Sequence, residues 1–283
     1  MAIFGETDVA NIQNDLIAAQ VQSHLVELTR LLPTVTDYSA LATPGNQSVA
    51  IPSGSDLSAA VKAEGVDVTA GEFTYGADAI SLAQYACAVE VEDIARVQSS
   101  IAIEQDLSGR MAVALADQID TLIYTQLQAA SASAPDHQKQ YNDTTNEDLE
   151  VIDIVNANAA MNVQKIPRAD RFMLVAPYQE ANMLQIDSFV EADKYGSRES
   201  LLDGEIGRVF GFKVIVSNVE NITADKYSIF YHKSAIGWAF QEGVKVERDR
   251  NLLGLSNRLI ASFMGGCKVL DSGKRQYRLE ETG

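Results

Sequence analysis

Cysteine and histidine are scarce in this chain. Its two cysteines, Cys87 and Cys267, stand far apart with no Cys-x-x-Cys spacing, and its three histidines, His24, His137 and His232, are scattered. That set offers neither a zinc quartet nor a disulfide framework, and the cysteines read as small buried hydrophobes. No run approaches the roughly eighteen consecutive apolar residues that a spanning helix needs. The first residues, MAIFGETDVANIQND, are acidic and lack the basic-then-apolar layout of a signal peptide, which implies a protein made and kept in the cytoplasm. Basic residues are rare in the front half. Residues 1–150 hold 22 acids and 5 bases, residues 151–233 hold 11 and 9, and residues 234–283 hold 6 and 8, for a net charge of −17. No basic run marks a nucleic-acid grip. An acidic front could lie against a more basic neighbouring tail, or the charge could serve solubility alone.

Catalytic signatures are missing as well. Gly254-Leu255-Ser256-Asn257-Arg258 lacks the second glycine of a nucleophile elbow. Ser272-Gly273-Lys274-Arg275 lacks the earlier glycine and the hydroxyl of a phosphate loop. Gly204, Gly207 and Gly211 do not form a dinucleotide fingerprint, and Asp117 with Asp120 has the i, i+3 spacing of many solvated helix faces. Asp143, Asn146, Glu147 and Asp148 lack the spacing and the turn glycine of a calcium loop. Thr145 and Asp148 read instead as a helix start, with the helix running over 146–164. Neither a catalytic residue, a metal nor a cofactor is implied.

What is present is a particular order of elements. Residues 14–32 predict an amphipathic helix, with Leu16, Ile17, Val21, Leu25, Leu28 and Leu32 on one stripe and Pro33 just past its end. The stripe must be buried on the chain's own core or on a neighbour. Residues 48–51 predict a short strand before Pro52. Turn signals follow at Gly54, Gly65 and Gly71, and a return strand over 80–91 turns Ile80, Leu82, Ala86 and Ala88 inward, with Val89 or Val91 as further inward positions. Two strands with a long tip suggest a protruding hairpin, which is marginal alone and needs a surface to lie on. Residues 93–130 are the longest helical region. Ile101, Leu107, Met111, Leu115, Ile119, Leu122, Ile123 and Leu127 recur at helical spacing, and Gly109 is a place for a bend. Residues 171–176 predict a buried strand closed by Pro177, which can open the next helix. An alternating strand is expected over 206–218, another over 227–231, and a helical or turn segment over 233–240. Tail strands follow, with Val244, Val246 and Arg248 on one face. Leu259 to Phe263 and Cys267 to Leu270 form a second run, broken at Gly265–Gly266, and Trp238 reads as core.

Arg171, Pro177, Gly204, Ile206, Gly207, Gly211, Phe212, Val214, Ser217 and Asn218 carry a resemblance to the major capsid proteins of tailed bacteriophages, the Hong Kong 97 type of shell subunit. The run KSAIGWAFQEGVKVERDRN and the following LSNRLIASFMGGCKVLD resemble that family's ending. The resemblance implies an α+β Hong Kong 97-type capsid fold. Its parts would be an N-terminal arm (1–46), an extended loop (47–91), a peripheral domain with a spine helix (92–149 and 241–283) and an axial domain (150–240). It implies self-assembly through hexamers and pentamers into an icosahedral shell around double-stranded DNA, with no sequence-specific grip and no membrane. The resemblance also implies a portal protein and room for a decoration protein. Only a short arm precedes the loop, which implies either a separate scaffolding protein or an already trimmed form, and Met1 at the start argues for the former. In some relatives a loop lysine bonds covalently to an asparagine of another subunit with the help of a glutamate. The corresponding residues here are Lys62 and Asn251 or Asn257, with a solvated surface lysine as the plain alternative. An encapsulin-like nanocompartment shell shares the fold, and a soluble α+β enzyme or binding protein is the rival from another class.

Overall fold

The computed structural model describes residues 29–54, 57, 59, 61–62, 64–65, 67, 73–98, 103–129, 138–140, 149–185, 207–217 and 227–280. In chain order the elements are β1 (Thr36–Asp37), β2 (Ser48–Gly54), β3 (Tyr75–Ser81), β4 (Ala83–Glu92), α1 (Asp93–Gln98), α2 (Ile103–Gln128), β5 (Gln138–Gln140) and α3 (Val151–Val163). They continue with β6 (Arg171–Val175), α4 (Pro177–Gln185), β7 (Arg208–Val209), β8 (Phe212–Val216), β9 (Ser228–His232), β10 (Ile236–Asn251), β11 (Ser256–Val269) and β12 (Gln276–Glu280). The strands form a four-stranded sheet in the order β1-β10-β11-β4, a six-stranded sheet in the order β5-β12-β9-β6-β8-β7, and a two-stranded sheet of β2 and β3.

The 26 residues of α2 run continuously through Gly109, about 40 Å at ~1.5 Å per residue. Its buried stripe of Met111, Leu115, Ile119, Ile123 and Leu127 packs on both larger sheets at once. Val246, Leu259, Ala261 and Phe263 come from one sheet, and Phe172, Leu174, Ile229 and Tyr231 from the other. Because side chains alternate along a strand, Met173, Val175 and Phe230 face the opposite side of the six-stranded sheet. There they meet Ile154, Ala157 and Met161 of α3. All five residues of β6 are therefore buried, which is why that strand reads as a continuous apolar run. Pro177 opens α4, as its missing N–H allows.

Arg171 is the charged end of β6 and only 2% exposed. Its guanidinium donates to Asn158 Oδ1 (2.6 Å), Asn162 Oδ1 (3.0 Å) and the carbonyls of Ile166 (2.6 Å) and Pro167 (2.9 Å). It thus ties β6 to the last turns and exit of α3, where a cation meets the negative helix end favourably.

Several elements depart from the sequence reading. β2 runs through Pro52 to Gly54, which is tolerable because a two-stranded ladder leaves one side of each strand unpaired. The return strand is two strands. Tyr75–Ser81 pairs with β2, the chain turns at Leu82, and Ala83–Glu92 enters the four-stranded sheet. That step shifts the alternation, so Ala86 and Ala88 are exposed while Tyr85, Cys87 and Val89 pack on the core. The single strand expected over 206–218 is a tight hairpin of β7 and β8 with Phe210 and Gly211 at the turn. Both have positive φ (45° and 92°), as two-residue hairpin turns require. Helix α3 starts at Val151, with the Glu150 N–H donating to Asp153 Oδ2 at 3.1 Å; residues 141–148, where the cap was expected, lie outside the described residues. Only Lys233–Ala235 is helical within 233–240, and Trp238 lies within β10, 1% exposed. β12 completes the six-stranded sheet beside β9, whereas Ile236–Phe240 belongs to the four-stranded one, so the sheets do not divide at residue 240. Of the expected helix over 14–32, residues 14–28 lie outside the described residues; 29–31 are not helical, and Pro33 sits inside a 3-10 turn, Leu32–Thr34.

The expected break at Gly265–Gly266 is instead unbroken strand. A Cβ on Gly266 would lie 2.0 Å from the Ser81 carbonyl oxygen, and one on Gly265 would lie 2.9 Å from that of Ala239. The two glycines let β11 cross the chain where it leaves β3, and bare backbone is the only thing that fits there.

Residues 29–46 form a strap over the seam between the sheets. The backbone N–H groups of Arg30 and Leu31 donate to Asp120 Oδ2 and Oδ1 of α2, each at 3.2 Å. Arg30 Nη1 reaches the Val216 carbonyl at 3.0 Å, and Thr34 Oγ1 lies 2.7 Å from the Tyr231 hydroxyl. Thr36 and Asp37 then pair with Gly237 and Trp238, and Gln241 Nε2 donates to the carbonyls of Thr43 and Asn46.

Gly266→Ala is expected to destabilise the subunit by about 3 kcal/mol or more through overpacking against backbone. Gly243→Ala, where an added Cβ meets nothing within 4 Å, should stay within about 0.5 kcal/mol of wild type. Denaturant unfolding of the two variants checks the contrast. For the strap, Asp120→Ala leaves the buried Leu31 N–H without its acceptor and should cost about 1–3 kcal/mol. Burial raises the Asp120 pKa above 3.8, so the folded state holds that proton more tightly than the unfolded chain does. Its contribution is then complete below pH 3.8 and declines as pH rises through the raised value. Unfolding followed from pH 3 to 8 should show that slope in wild type and lose it in Asp120→Asn.

Candidate assembly surfaces

The described residues supply surfaces more readily than a reactive centre. Among them, no group of three or more His, Cys, Asp and Glu side chains is placed to hold a metal ion. A pocket of about 210 Å³ lies under the strap, lined by Leu32, Pro33, Val35, Trp238 and Phe240 along with Thr29 and Asp37. Its one carboxylate, Asp37, already accepts from the Ser39 N–H at 2.8 Å and from the Ser39 hydroxyl. Burial pushes the Cys267 thiol up to about 12, which leaves it un-ionised and unreactive at neutral pH. His232 is pushed below its ordinary value by burial and by Arg275. Neutral at pH 7, its Nδ1 accepts from the Ser234 N–H at 3.1 Å.

The β2–β3 sheet is the first surface. It pairs from Ser48↔Ser81 to Gly54↔Tyr75 and is anchored at its root by Val49 and Ile80, which pack with Ala42 and Ala239. Further out the anchoring ends. Leu57, Val61 and Tyr75 are exposed, Val61 almost completely, and Phe73 meets Tyr75 edge-on with ring centroids 4.6 Å apart. Lys62 is exposed in the segment between the two strands.

The second surface is the far end of the β10–β11 hairpin, where the structure brings Asn251 and Asn257 together. Arg250 pairs with Asn257, and Asn251 with Ser256, across the ladder. Asn251 Oδ1 accepts from the Gly254 N–H at 3.1 Å, and its Nδ2 donates to Glu90 Oε1 at 3.2 Å. Asn257 Oδ1 accepts from Arg250 Nη1 at 3.0 Å. Glu90 also accepts from the Ser256 hydroxyl and from Arg258 Nη2 at 3.2 Å, and these bonds, Ser256 first, hold its carboxyl down to about 2. Arg250 forks onto both oxygens of Asp93, at 2.7 and 2.6 Å. Lys62 belongs to a different element from the two asparagines and is not brought to them within one subunit. Glu90, Arg250 and the leucines of this turn were missed by the sequence reading. The available signal was Asn-Leu-Leu-Gly-Leu, an apolar turn set between strongly charged strand ends.

Of the residues that carry the family resemblance, Arg171 is the buried clamp, Pro177 the helix start and Gly211 the hairpin turn. Phe212 is core, and the Ser217 N–H donates to the Val175 carbonyl at 3.1 Å. Gly204, Ile206 and Asn218 lie outside the described residues.

The phage capsid protein family matches residues 75–273. A search of curated proteins finds no match. Among solved structures, a chain of Mycobacterium phage Che8 is similar at 23% identity with a TM-score of 0.71, covering 89% of this chain and 90% of that one. The capsid of cyanophage Pam1 is similar at 10% identity and 0.72, covering 93% of each chain. That of a native GTA particle is similar at 14% and 0.64, covering 93% of this chain and 91% of the other. The mixed α+β architecture is thus the Hong Kong 97-type capsid fold, and over its matched span of 75–273 this chain belongs to the phage capsid protein family, as a major capsid shell protein.

Proposed function

We propose that the subunit closes into pentamers and hexamers of an icosahedral shell around double-stranded phage DNA. The observation that carries this beyond family membership is the β2–β3 sheet. Two strands are marginal alone in water, and Tyr75 on β3 is exposed along with Leu57 and Val61 in the segment between the strands. Such an element gains from a neighbour's surface, as the expected role of the extended loop requires. On this reading residues 150–240, together with β12, form the axial domain near each ring centre. The long helix α2 and the sheet of β10, β11 and β4 form the peripheral domain, and the arm ahead of the strap ties neighbours together. Ring closure needs non-identical surfaces meeting head to tail. A chain of net charge −17 with no basic run suits a container that encloses DNA without gripping it. Assembly in the host cytoplasm on a separate scaffolding protein, around a portal and with room for a decoration protein, completes the proposal. The match to a phage capsid family favours a genome over the enzyme cargo of a nanocompartment.

The shell is held without covalent links on this reading. Asn251 is occupied by Glu90 and Gly254, and a carboxylate held down to about 2 is a weak base for drawing a proton from Lys62.

Negative-stain electron microscopy of the purified protein, alone and co-expressed with its genetic neighbours, should show uniform shells or rings of five and six. A small particle of fixed, low copy number under all conditions would sink the proposal. Assembled shells boiled in SDS should run as a single 30.7 kDa band. A ladder of multiples that disappears in Lys62→Arg, and again in a variant of Asn251 or Asn257, would establish the cross-link instead.

A further inference from the structure

The pocket under the strap has fixed walls and an apolar lining. Leu32, Pro33 and Val35 form one wall, and Trp238 and Phe240 of β10 form the other. The walls cannot close on each other freely, because hydrogen bonds set their spacing. Asp37 pairs with Trp238, the Tyr38 N–H donates to the Trp238 carbonyl at 2.7 Å, and the Phe240 N–H donates to Ser39 Oγ at 2.9 Å. The aromatic wall is held from behind, where Phe240 meets Trp238 and Phe263 edge-on at 4.9 and 5.9 Å. A void of about 210 Å³ between such walls leaves its lining short of contacts that an apolar side chain would supply.

The place of the pocket along the chain identifies the occupant. Thr29, the first described residue, lines it, so residues 1–28 lead directly into its rim. Leu32 also lines it, and Leu32 is the last member of the leucine stripe read from the sequence. The next members upstream are Leu28 and Leu25, which share one face at i, i+3 spacing if the helix runs to residue 28. The chain is not helical over 29–31, so the helical phase breaks at the rim and the stripe need not continue past the pocket in line.

Charge and tethering favour the same segment. Leu16 to Val26 contains no charged residue, and His24 is its one titratable group, in a chain that carries −17 overall. Asp15 and Glu27 flank that stretch. The one carboxylate of the pocket, Asp37, is already bonded to Ser39, so the lining asks for no cation. A segment joined to the rim is presented at ~mM effective concentration, well above that of any free competitor. We infer that Leu25 and Leu28 seat in this pocket on their own subunit. The root of the arm is then docked in place, and only the stretch ahead of it, with Leu16, Ile17 and Val21, is left to reach a neighbour. This settles the choice that periodicity leaves open between the chain's own core and a neighbour, and it does not depend on the shell reading.

Trp238 is the chain's only tryptophan, so its emission reads the pocket directly. The test is fluorescence of the full-length, unassembled subunit in dilute solution. The double variant Leu25→Asp, Leu28→Asp should red-shift the emission and raise acrylamide quenching at least about twofold, as local opening exposes the pocket to water. Leu28→Met, which conserves volume, and Leu16→Asp, outside the seat, should match wild type. Leu25→Ala only removes volume and should move the signal the same way by less, which keeps the test decisive if the aspartates prevent folding. Wild-type emission should hold over an about hundredfold dilution, because a tethered contact is independent of concentration. Unchanged emission in the folded double variant, or in Leu25→Ala where the double variant does not fold, would overturn the inference. So would a red shift of wild type on dilution, since the occupant would then be a neighbour's arm. These readouts come from unassembled subunits and are separate from the shells and rings on which the shell reading depends.

Discussion

The crossing at Gly265 and Gly266 is the constraint on which most of this architecture rests. β11 bonds to β10 on one side and β4 on the other, and its inward residues Leu259, Ala261 and Phe263 pack on α2. To do all three it must pass against the carbonyl of Ser81, where β3 ends and the chain steps through Leu82 into β4. One close backbone contact therefore fixes where the projecting β2–β3 sheet leaves the body, the register of β4 and the phase of its side chains. Displacing β11 there would unseat Ile80 and Ala239, which root the two-stranded sheet.

The second requirement is that two sheets share one helix. α2 gives its apolar stripe to both, so the seam between them has no layer of its own to cover it. The strap over 29–46 does that work with hydrogen bonds more than with apolar area. It reaches α2 at Asp120, the six-stranded sheet at Val216 and Tyr231, and the four-stranded sheet at Gly237 and Trp238. A buried carboxylate is costly unless bonded, and Asp120 repays its burial by accepting two N–H groups that would otherwise lie unpaired.

Much of this was legible in the sequence where one physical signal dominates. The stripe of α2, the buried run of β6 with Pro177 after it, and the face of Val244, Val246 and Arg248 follow from periodicity and proline chemistry, and they appear as expected. The errors fall where a local signal has two physical causes. Gly265–Gly266 reads as a break, yet glycine also marks close approach of backbones. Phe210–Gly211 interrupts an alternation that continues on both sides, so a hairpin resembles one strand. Ala86 and Ala88 lie on the wrong face because a one-residue step at Leu82 inverts a period of two. The hydrogen-bonded frame at Glu90, Arg250 and Asn251 joins residues about 160 positions apart, and no spacing rule reaches across such a gap.

The same division separates what one subunit satisfies from what it leaves open. Inside, even awkward groups are answered: Arg171 finds four neutral oxygens and Asp120 two N–H groups. Outside, exposed apolar side chains include those of the β2–β3 region, where β3 ends against the crossing of β11 at Ser81, and those of the β10–β11 turn at the far end of the same strand. A fold that bonds such polar groups within itself while presenting apolar side chains on projections has further burial to gain from other copies. Because β11 runs from the crossing at Ser81 to the turn, both projections belong to one body, and burying either would help to orient the other. That coupling is what a shell needs, since closure depends on each new contact being aimed by those already made.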